Sequence, residues 1–184
     1  IHRQGKRLAA KGIAWEDLDI IVDSPLANKF SEVYKTLASC WDREAKRRVQ
    51  RGRHLLSFEQ LLTINDHQEH LPTIDYLKQS GRTAIVIAAS GMCSGGRSVN
   101  YLKALIADPR TDILFVGYQA KGIIGQKIQK YGPRNGYVQM DNKKYTITAG
   151  VETISGYSAH AGQDNLMRFI KGIRKKPSLI RLVH

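Results

Sequence analysis

Two histidines of this chain stand where an imidazole can do chemistry. His160 lies among small residues in the segment Gly156–Gly162, just before a predicted helix, where a packed core has no need of an imidazole. His184 follows the apolar-rich run Leu179–Val183, which predicts a buried strand that carries the histidine to the edge of a sheet. Because an imidazole titrates near neutral pH and also ligates metals, each is a candidate for proton transfer or metal binding.

A second pair of histidines, His67 and His70, has the three-residue spacing of two metal ligands on one face of a helix. A zinc site in a protein takes at least three protein ligands, and no third ligand is apparent in the neighbouring sequence. We therefore interpret both residues as surface histidines.

Two loops have the composition of an anion-binding site. The loop Ser90–Arg97 holds three glycines and two serines before a predicted helix, so its N–H groups can approach a phosphate with the support of the helix dipole. It has neither the dinucleotide-binding nor the Walker spacing of glycines, and a tight structural turn is the alternative. The loop Tyr118–Gly122 follows the next predicted strand and reaches the same edge of the sheet. The candidate anion-binding residues of the two loops are Ser90, Gly91, Ser94, Gly95, Gly96, Arg97, Gln119 and Lys121.

The charge of the chain favours a polyanionic partner. Among 184 residues, 29 Lys and Arg against 16 Asp and Glu give a formal net charge of +13. A balance of this kind attracts nucleic acid, acidic lipid or other phosphorylated partners. Six of the cations fall within the eleven residues Arg43–Arg53, which form either a track for a nucleic-acid backbone or a solvated helix face.

Composition narrows the class of protein further. Apolar residues at 42% and charged residues at 24% predict a packed core rather than disorder. No stretch approaches the roughly 18 consecutive apolar residues of a membrane span, so we expect no membrane partner. The two cysteines, Cys40 and Cys93, are too few for a disulfide scaffold, and we expect a reducing, cytoplasmic setting. Because the sequence starts with Ile1 and ends in an apolar strand, we expect a piece of a longer polypeptide.

Short apolar strands alternate with helices through most of the chain. The predicted strands Asp19–Asp23, Thr83–Ala89 and Ile113–Gly117 are each followed by a loop and a helix. This order predicts an α/β fold with an open, mainly parallel sheet flanked by helices, and ligands bind such sheets beyond the carboxyl ends of the strands. Residues 40–79 are predicted to be mostly helical. The helices that follow the three strands are predicted at Leu26–Leu37, Ser98–Ala107 and Ile123–Tyr131.

The pattern changes in the last third of the chain. Tyr137–Met140 and Lys144–Ser155 predict a β-hairpin that turns at Asp141 and Asn142. An amphipathic helix over Gln163–Ile173 and the final strand follow. We therefore place a domain boundary close to Gly156, which divides residues 1–157 from residues 158–184.

Five segments together resemble one family. In their order and spacing they are similar to the β-CASP branch of the metallo-β-lactamase superfamily. These are zinc-dependent nucleases that include ribonuclease J and the endonuclease that cuts pre-mRNA at its 3′ end. The resemblance spans nearly the whole chain. The segments are Val22–Ala27 (VDSPLA), Ala89–Arg97 (ASGMCSGGR), Phe115–Gly122 (FVGYQAKG), Ser158–Ala161 (SAHA) and Leu182–His184 (LVH).

The resemblance implies an architecture and roles for single residues. Residues 1–157 would be the β-CASP cap, and residues 158–184 would be a short helix–strand piece that returns into a metallo-β-lactamase αββα domain, within the RNA-specificity segment. His160 matches a histidine that assists protonation of the leaving oxygen. His184 matches a ligand of one of two zinc ions, a position at which histidine is typical of RNA-processing members. Ser158 and the two anion-binding loops would hold single-stranded RNA in the cleft between the cap and the metallo-β-lactamase domain.

The family's main metal signature, His-x-His-x-Asp-His, does not occur in this sequence. We therefore expect two zinc ions in the full-length parent and none in this chain alone, which we predict to be inactive. The parent would be a zinc-dependent ribonuclease of RNA processing or decay, able to form a homo-oligomer. Two alternatives stay open: a non-catalytic RNA-binding module, and an α/β domain that binds a small phosphorylated ligand at Ser90–Arg97.

Overall fold

Strands and helices alternate along the chain, as its sequence predicts. The computed structural model describes residues 17–51, 60–154, 156–157 and 161–181. No helix in these ranges is long and apolar enough to cross a membrane. The strands are β1 (Asp19–Asp23), β2 (Leu61–Thr63), β3 (Ala84–Ala88), β4 (Asp112–Phe115), β5 (Tyr137–Met140), β6 (Lys143–Thr146) and β7 (Gly150–Thr153). The α-helices are α1 (Pro25–Thr36), α2 (Arg43–Gln50), α3 (His67–Ser80), α4 (Arg97–Leu105), α5 (Ile124–Tyr131) and α6 (Gln163–Gly172).

Two parallel sheets carry the fold. In the first, β1 lies between β2 and β3 and runs parallel to both, with Ile20 opposite Leu61 on one side and Ile85 on the other. In the second, β4 pairs in parallel with β7, and Phe115 lies opposite Thr153. The predicted α/β fold with mainly parallel strands and flanking helices is confirmed. Its strands divide between two sheets in the described ranges instead of forming one.

Helix α4 packs against both sheets and joins their cores. Tyr101 packs with Ile21 in the core of the first sheet. Val99 and Leu102 lie in the core of the second sheet, with β5 and α5. A fully buried aliphatic side chain contributes about 1.5–3 kcal/mol, so this helix is held from both sides. Its first residue, Arg97, is thereby fixed close to the carboxyl ends of the first sheet.

The predicted β-hairpin is confirmed in its first half only. Strands β5 and β6 are antiparallel and turn at Asp141 and Asn142, whose φ values of 46° and 60° suit a type I′ turn. Beyond β6 the chain leaves the hairpin because Ile147 is fully buried and the next two N–H groups both donate to the carbonyl of Ile106. The single long strand predicted after the turn is therefore wrong, since its second half becomes β7 and pairs with β4.

Two other segments differ from their predictions. Strand β2 lies in a stretch predicted to be mostly helical, because its three residues find a parallel partner in β1. The predicted strand Leu179–Val183 is not formed over residues 179–181, where Leu179 and Ile180 are exposed. A strand needs a neighbour for its backbone hydrogen bonds, and the described ranges place none beside these residues. Residues 182–184 lie outside the described ranges.

Candidate functional site

The carboxyl ends of β1 and β3 lie side by side and place two loops at one edge of the first sheet. Asp23 is opposite Ala88 in the parallel register, so Ser24 and the loop Ser90–Arg97 leave the sheet together. Ser24 caps the N-terminus of α1, where its Oγ accepts a hydrogen bond from the N–H of Ala27 at 3.3 Å. We call this surface the carboxyl edge.

Backbone hydrogen bonds and one glycine shape the loop Ser90–Arg97. The carbonyl of Ser90 accepts hydrogen bonds from the N–H of Cys93 at 3.0 Å and from the hydroxyl of Ser98 at 2.8 Å. Gly96 has φ +75° and ψ −160°, a conformation that is open essentially to glycine alone. The side chain of Cys93 is buried in the core, and burial raises the pKa of its thiol. The exposed residues of the loop are Gly91, Met92, Ser94, Gly95 and Gly96.

A buried carboxylate, Asp23, joins three elements at this edge. Its side chain is 0% exposed, and its Oδ1 forms an ion pair with Arg97. Its Oδ2 accepts hydrogen bonds from the hydroxyl of Tyr101 at 2.7 Å and from Nδ1 of His70 at 2.6 Å. With Nδ1 donating, Nε2 of His70 accepts a hydrogen bond from the amide of Asn100 at 2.9 Å. Asp23 therefore links β1 to α3 and α4.

The same contacts set the charge state of the group. Burial on its own would raise the pKa of Asp23, but the hydrogen bonds from Tyr101, His70 and Arg97 outweigh that effect and hold the pKa below its ordinary value. Asp23 is therefore a carboxylate at neutral pH. Burial and the hydrogen bond to Asp23 raise the pKa of Tyr101, so this hydroxyl keeps its proton.

The guanidinium of Arg97 is engaged within the chain. Besides Asp23, it donates to the backbone carbonyls of Ile64 at 2.9 Å and Asn65 at 3.3 Å, both in the segment between β2 and α3. The amide of Asn28 also donates to the carbonyl of Ile64, at 3.3 Å. Arg97 thus positions this segment and the start of α4. A direct contact between Arg97 and a phosphate stays a prediction.

The interpretation of His67 and His70 as surface histidines is wrong for His70. His67 is exposed, but His70 is 0% exposed and lies against Asp23. Spacing along the chain conceals this contact because the two partners are 47 residues apart. A signal is nevertheless present, since an Asp that ends a buried apolar strand must find hydrogen-bond donors.

Gln119 ties the two candidate loops to each other. Its side chain is only 7% exposed, and its Nε2 donates to the carbonyls of Gly91 at 2.8 Å and Gly117 at 3.3 Å. Its Oε1 is buried against Gly125, where an added Cβ would lie 1.8 Å from that oxygen. Glycine at the start of α5 therefore leaves the room that Gln119 occupies. Two residues of the same loop, Tyr118 and Lys121, face solvent.

The structure brings most of the predicted site residues to the carboxyl edge. Ser158, His160 and His184 lie outside the described ranges, so their roles stay predictions. In the described ranges, no group of three or more His, Cys, Asp or Glu residues is placed to hold a metal ion. The residues brought to this edge are Ser90, Gly91, Ser94, Gly95, Gly96, Arg97 and Gln119. Lys121 is exposed two residues farther along the loop that Gln119 anchors.

The basic segment Arg43–Arg53 is described only in part. Residues 43–50 form α2, which buries no side chain and is capped at its N-terminus by Asp42. Arg48 pairs with Glu44 one helical turn earlier, and Lys46 donates to the carbonyl of Ser39 at 2.6 Å. Residues 52–59 lie outside the described ranges.

Two family models match this chain. The model described as Beta-Casp domain matches residues 4–128, and the model described as Zn-dependent metallo-hydrolase RNA specificity domain matches residues 144–184. The first match alone covers more than half of the chain.

Known proteins of similar sequence are named as a ribonuclease and as transcription termination factors. The chain is 32% identical over 165 residues to Ribonuclease TTHA0252 of Thermus thermophilus, a match that covers 90% of this chain and 36% of that protein. It is 39% identical over 106 residues to Transcription termination factor FttA of Methanothermobacter thermautotrophicus, which covers 56% of this chain and 17% of that protein. The factor of the same name from Thermococcus kodakarensis is 41% identical over 107 residues, or 57% of this chain and 16% of that protein. The chain thus spans about a third or less of these relatives. With the predicted family confirmed over most of its length, this chain belongs to the β-CASP family of the metallo-β-lactamase superfamily.

Proposed function

We propose that this chain is the RNA-binding cap and adjoining specificity segment of a ribonuclease that cleaves single-stranded RNA in RNA processing or decay. The observation that carries the proposal is the carboxyl edge, where Gln119 joins the exposed glycine loop Ser90–Arg97 to the loop that bears Lys121. The family membership and the name ribonuclease of one relative support the reaction class. The net charge of +13 supports a polyanionic substrate.

Some residues at this edge would contact the RNA, and others would hold the loops in place. Exposed groups at Ser94, Gly95, Gly96 and Lys121 would meet the RNA backbone, since flexible glycine backbone and a lysine ammonium both suit a phosphate. Arg97 and Gln119 would hold the loops in place through the contacts described above. Ser90, Gly91 and Ser158 complete the proposed RNA-binding set.

The proposal assigns zinc to the parent protein. The described residues do not fit a zinc centre by themselves. The description of the second family model as zinc-dependent supports zinc in the parent, with His184 as one ligand and His160 as the group that assists proton transfer. The remaining ligands would come from the parent's metallo-β-lactamase domain, and this chain alone would neither bind the two zinc ions nor cleave RNA.

A cytoplasmic location and self-association of the parent also belong to the proposal. Both cysteines are free thiols, Cys40 exposed and Cys93 buried, which suits a reducing compartment. Fractionation of the source cells tests the location, and light scattering of the parent tests its oligomeric state.

Fluorescence anisotropy with the purified 184-residue chain tests RNA binding. The probes are a labelled 20-nucleotide single-stranded RNA and the same sequence as a duplex. We expect tighter binding of the single strand and no cleavage when zinc is added. Equal or tighter binding of the duplex, or no binding of either probe, would contradict the proposal, as would zinc-dependent cleavage by the chain alone.

The coding sequence around this segment separates a nuclease from a non-catalytic RNA-binding parent. An upstream His-x-His-x-Asp-His motif with further Asp and His ligands is the result expected for the nuclease. Loss or replacement of those ligands would leave the fold and the RNA-binding edge but would remove the roles of His160 and His184.

A further inference from the structure

Two tyrosines are more exposed than a packed fold requires. Tyr118 and Tyr157 each leave 73% of their surface open to solvent, as does Phe169 on α6, and no aromatic side chain in the described ranges is more exposed. By contrast, the ring of Tyr137 on β5 is 55% exposed and lies beneath the ammonium of Lys144 at 3.8 Å from its centroid. Packing among the described residues therefore gives no reason for an aromatic residue at positions 118 and 157.

Strand topology brings the two tyrosines to the same edge of the second sheet. Tyr118 follows β4 and Tyr157 follows β7, and these strands are parallel neighbours with Phe115 opposite Thr153. The ladder continues for one more residue, because the N–H of Ile154 donates to the carbonyl of Phe115 at 2.9 Å. Each chain then runs only a few residues to its tyrosine.

Two hydrogen bonds of Gln119 hold the loop that bears Tyr118. The residues on both sides of Tyr118 are tied down through Gln119, whose amide donates to the carbonyl of Gly117 and to that of Gly91 in the glycine loop. Anchored in this way to the glycine loop, the loop leaves the ring of Tyr118 exposed to solvent. A ring on a fixed loop loses little conformational entropy when a ligand stacks on it.

The charge around this ring matches an RNA strand. Lys121 lies three residues on and is exposed, so a cation for a phosphate and a flat face for a base come from the same loop. Aromatic side chains combined with basic residues are the usual platform for unpaired bases, and stacking accepts any base because every base has a π face.

We infer that Tyr118, together with Tyr157 beyond the end of the neighbouring strand, is a stacking platform for unpaired RNA bases. The inference rests on the proposed function, since it names the part of the RNA that this edge recognises. It explains a preference for single strands by chemistry, because the bases of a duplex are stacked on one another and cannot stack on a protein ring.

Binding of base-bearing and base-free RNA by the full chain tests the inference. One probe is a single-stranded 12-nucleotide RNA with a central 2-aminopurine, whose fluorescence falls on stacking, and the other has abasic sites at the central positions with the same phosphates. We expect the wild-type chain to prefer the base-bearing strand and to quench the 2-aminopurine. Tyr118→Ala should lower affinity for that strand on the order of tenfold, abolish the quenching and leave affinity for the abasic strand unchanged.

Matched variants control for folding and for general effects of a lost ring. Tyr118→Trp keeps a flat ring and should restore affinity and quenching, whereas Tyr137→Ala removes an exposed ring elsewhere and should change neither. Tyr157→Ala should reduce quenching in part. If the wild-type chain binds both strands equally, or Tyr118→Ala behaves as wild type, the stacking inference is wrong while RNA binding stands. If the wild-type chain binds neither strand, the proposed function fails with it.

Discussion

Asp23 keeps its charge out of contact with solvent because three donors replace the water it has lost. Arg97, Tyr101 and His70 each direct a hydrogen bond at its two oxygens. A charged group without such partners would cost several kcal/mol to bury. The charge also explains the position of Arg97 at the first turn of α4, where a cation is disfavoured by the helix dipole unless a carboxylate lies opposite.

We predict that Asp23→Asn destabilises the chain by about 3–5 kcal/mol, because it leaves the Arg97 guanidinium without its counter-charge in a largely buried site. Urea unfolding at neutral pH measures the loss. The control is Asp108→Asn, the same change in an ion pair with the mostly exposed Arg110, which should destabilise the chain much less because solvent screens that pair. Equal losses of stability in the two variants would show that the contacts of Asp23 stabilise the fold no more than an exposed ion pair does.

The lowered pKa of Asp23 also predicts how the stability of the chain changes with pH. The folded pKa of Asp23 is below its ordinary value of 3.8, so the folded state binds its proton less readily than the unfolded state. Its contribution is complete above the ordinary value and is lost as the pH falls through the lower folded value. We therefore expect the free energy of unfolding to decline more steeply below about pH 4 in the wild type than in Asp23→Asn. Parallel curves for the two proteins would contradict this assignment.

Local sequence patterns predicted most of the helices and strands. They could not predict which distant segments pair with each other. Strand β1 and helix α1 follow from an apolar run and a Ser-Pro start, which act within a few residues. Strand β2 has only three residues and exists because β1 lies beside it. The pairing of β7 with β4 and the contact between Asp23 and His70 join distant positions. One sequence carries no direct record of such contacts. The position of the carboxyl edge could therefore be predicted, but the contacts of Asp23 that hold it together could not.

We predict that Gly125→Ala loosens the carboxyl edge although alanine favours helices. An added Cβ would lie 1.8 Å from Oε1 of Gln119 and 3.2 Å from the carbonyl of Met92, so the amide must leave its bonds to Gly91 and Gly117. Overpacking of this kind costs about 1–3 kcal/mol, against a gain of about 1 kcal/mol from replacing a helical glycine. Hydrogen exchange should show faster opening of residues 117–123.

The matched control lies in the same loop. Gly117→Ala adds the same methyl group where no atom lies within 4 Å, and it should leave hydrogen exchange and stability close to wild type. If both variants open the loop equally, the loss comes from glycine flexibility and the anchoring role given to Gln119 is wrong.

The whole molecule combines a net charge of +13 with the proposed binding surface at one edge, and the two would affect different properties of RNA binding. A net charge of +13 would attract RNA without regard to a particular site and would speed association. Only cations that touch phosphates release counterions and set the slope of affinity against salt. The slope therefore distinguishes cations at the site from cations elsewhere, even though the charge change is the same.

We predict that Lys121→Gln reduces the slope of log affinity against log salt by about 0.7, the value for one phosphate contact to a single strand. Lys78→Gln makes the same charge change near the end of α3, beside the amino ends of the first sheet, and should leave the slope unchanged. Both lysines are exposed, so neither substitution should alter folding. Anisotropy titrations from about 50 to 200 mM salt give both slopes. A smaller slope in both variants would mean that RNA contacts lysines on different faces of the molecule. The carboxyl edge would then not be the specific binding surface.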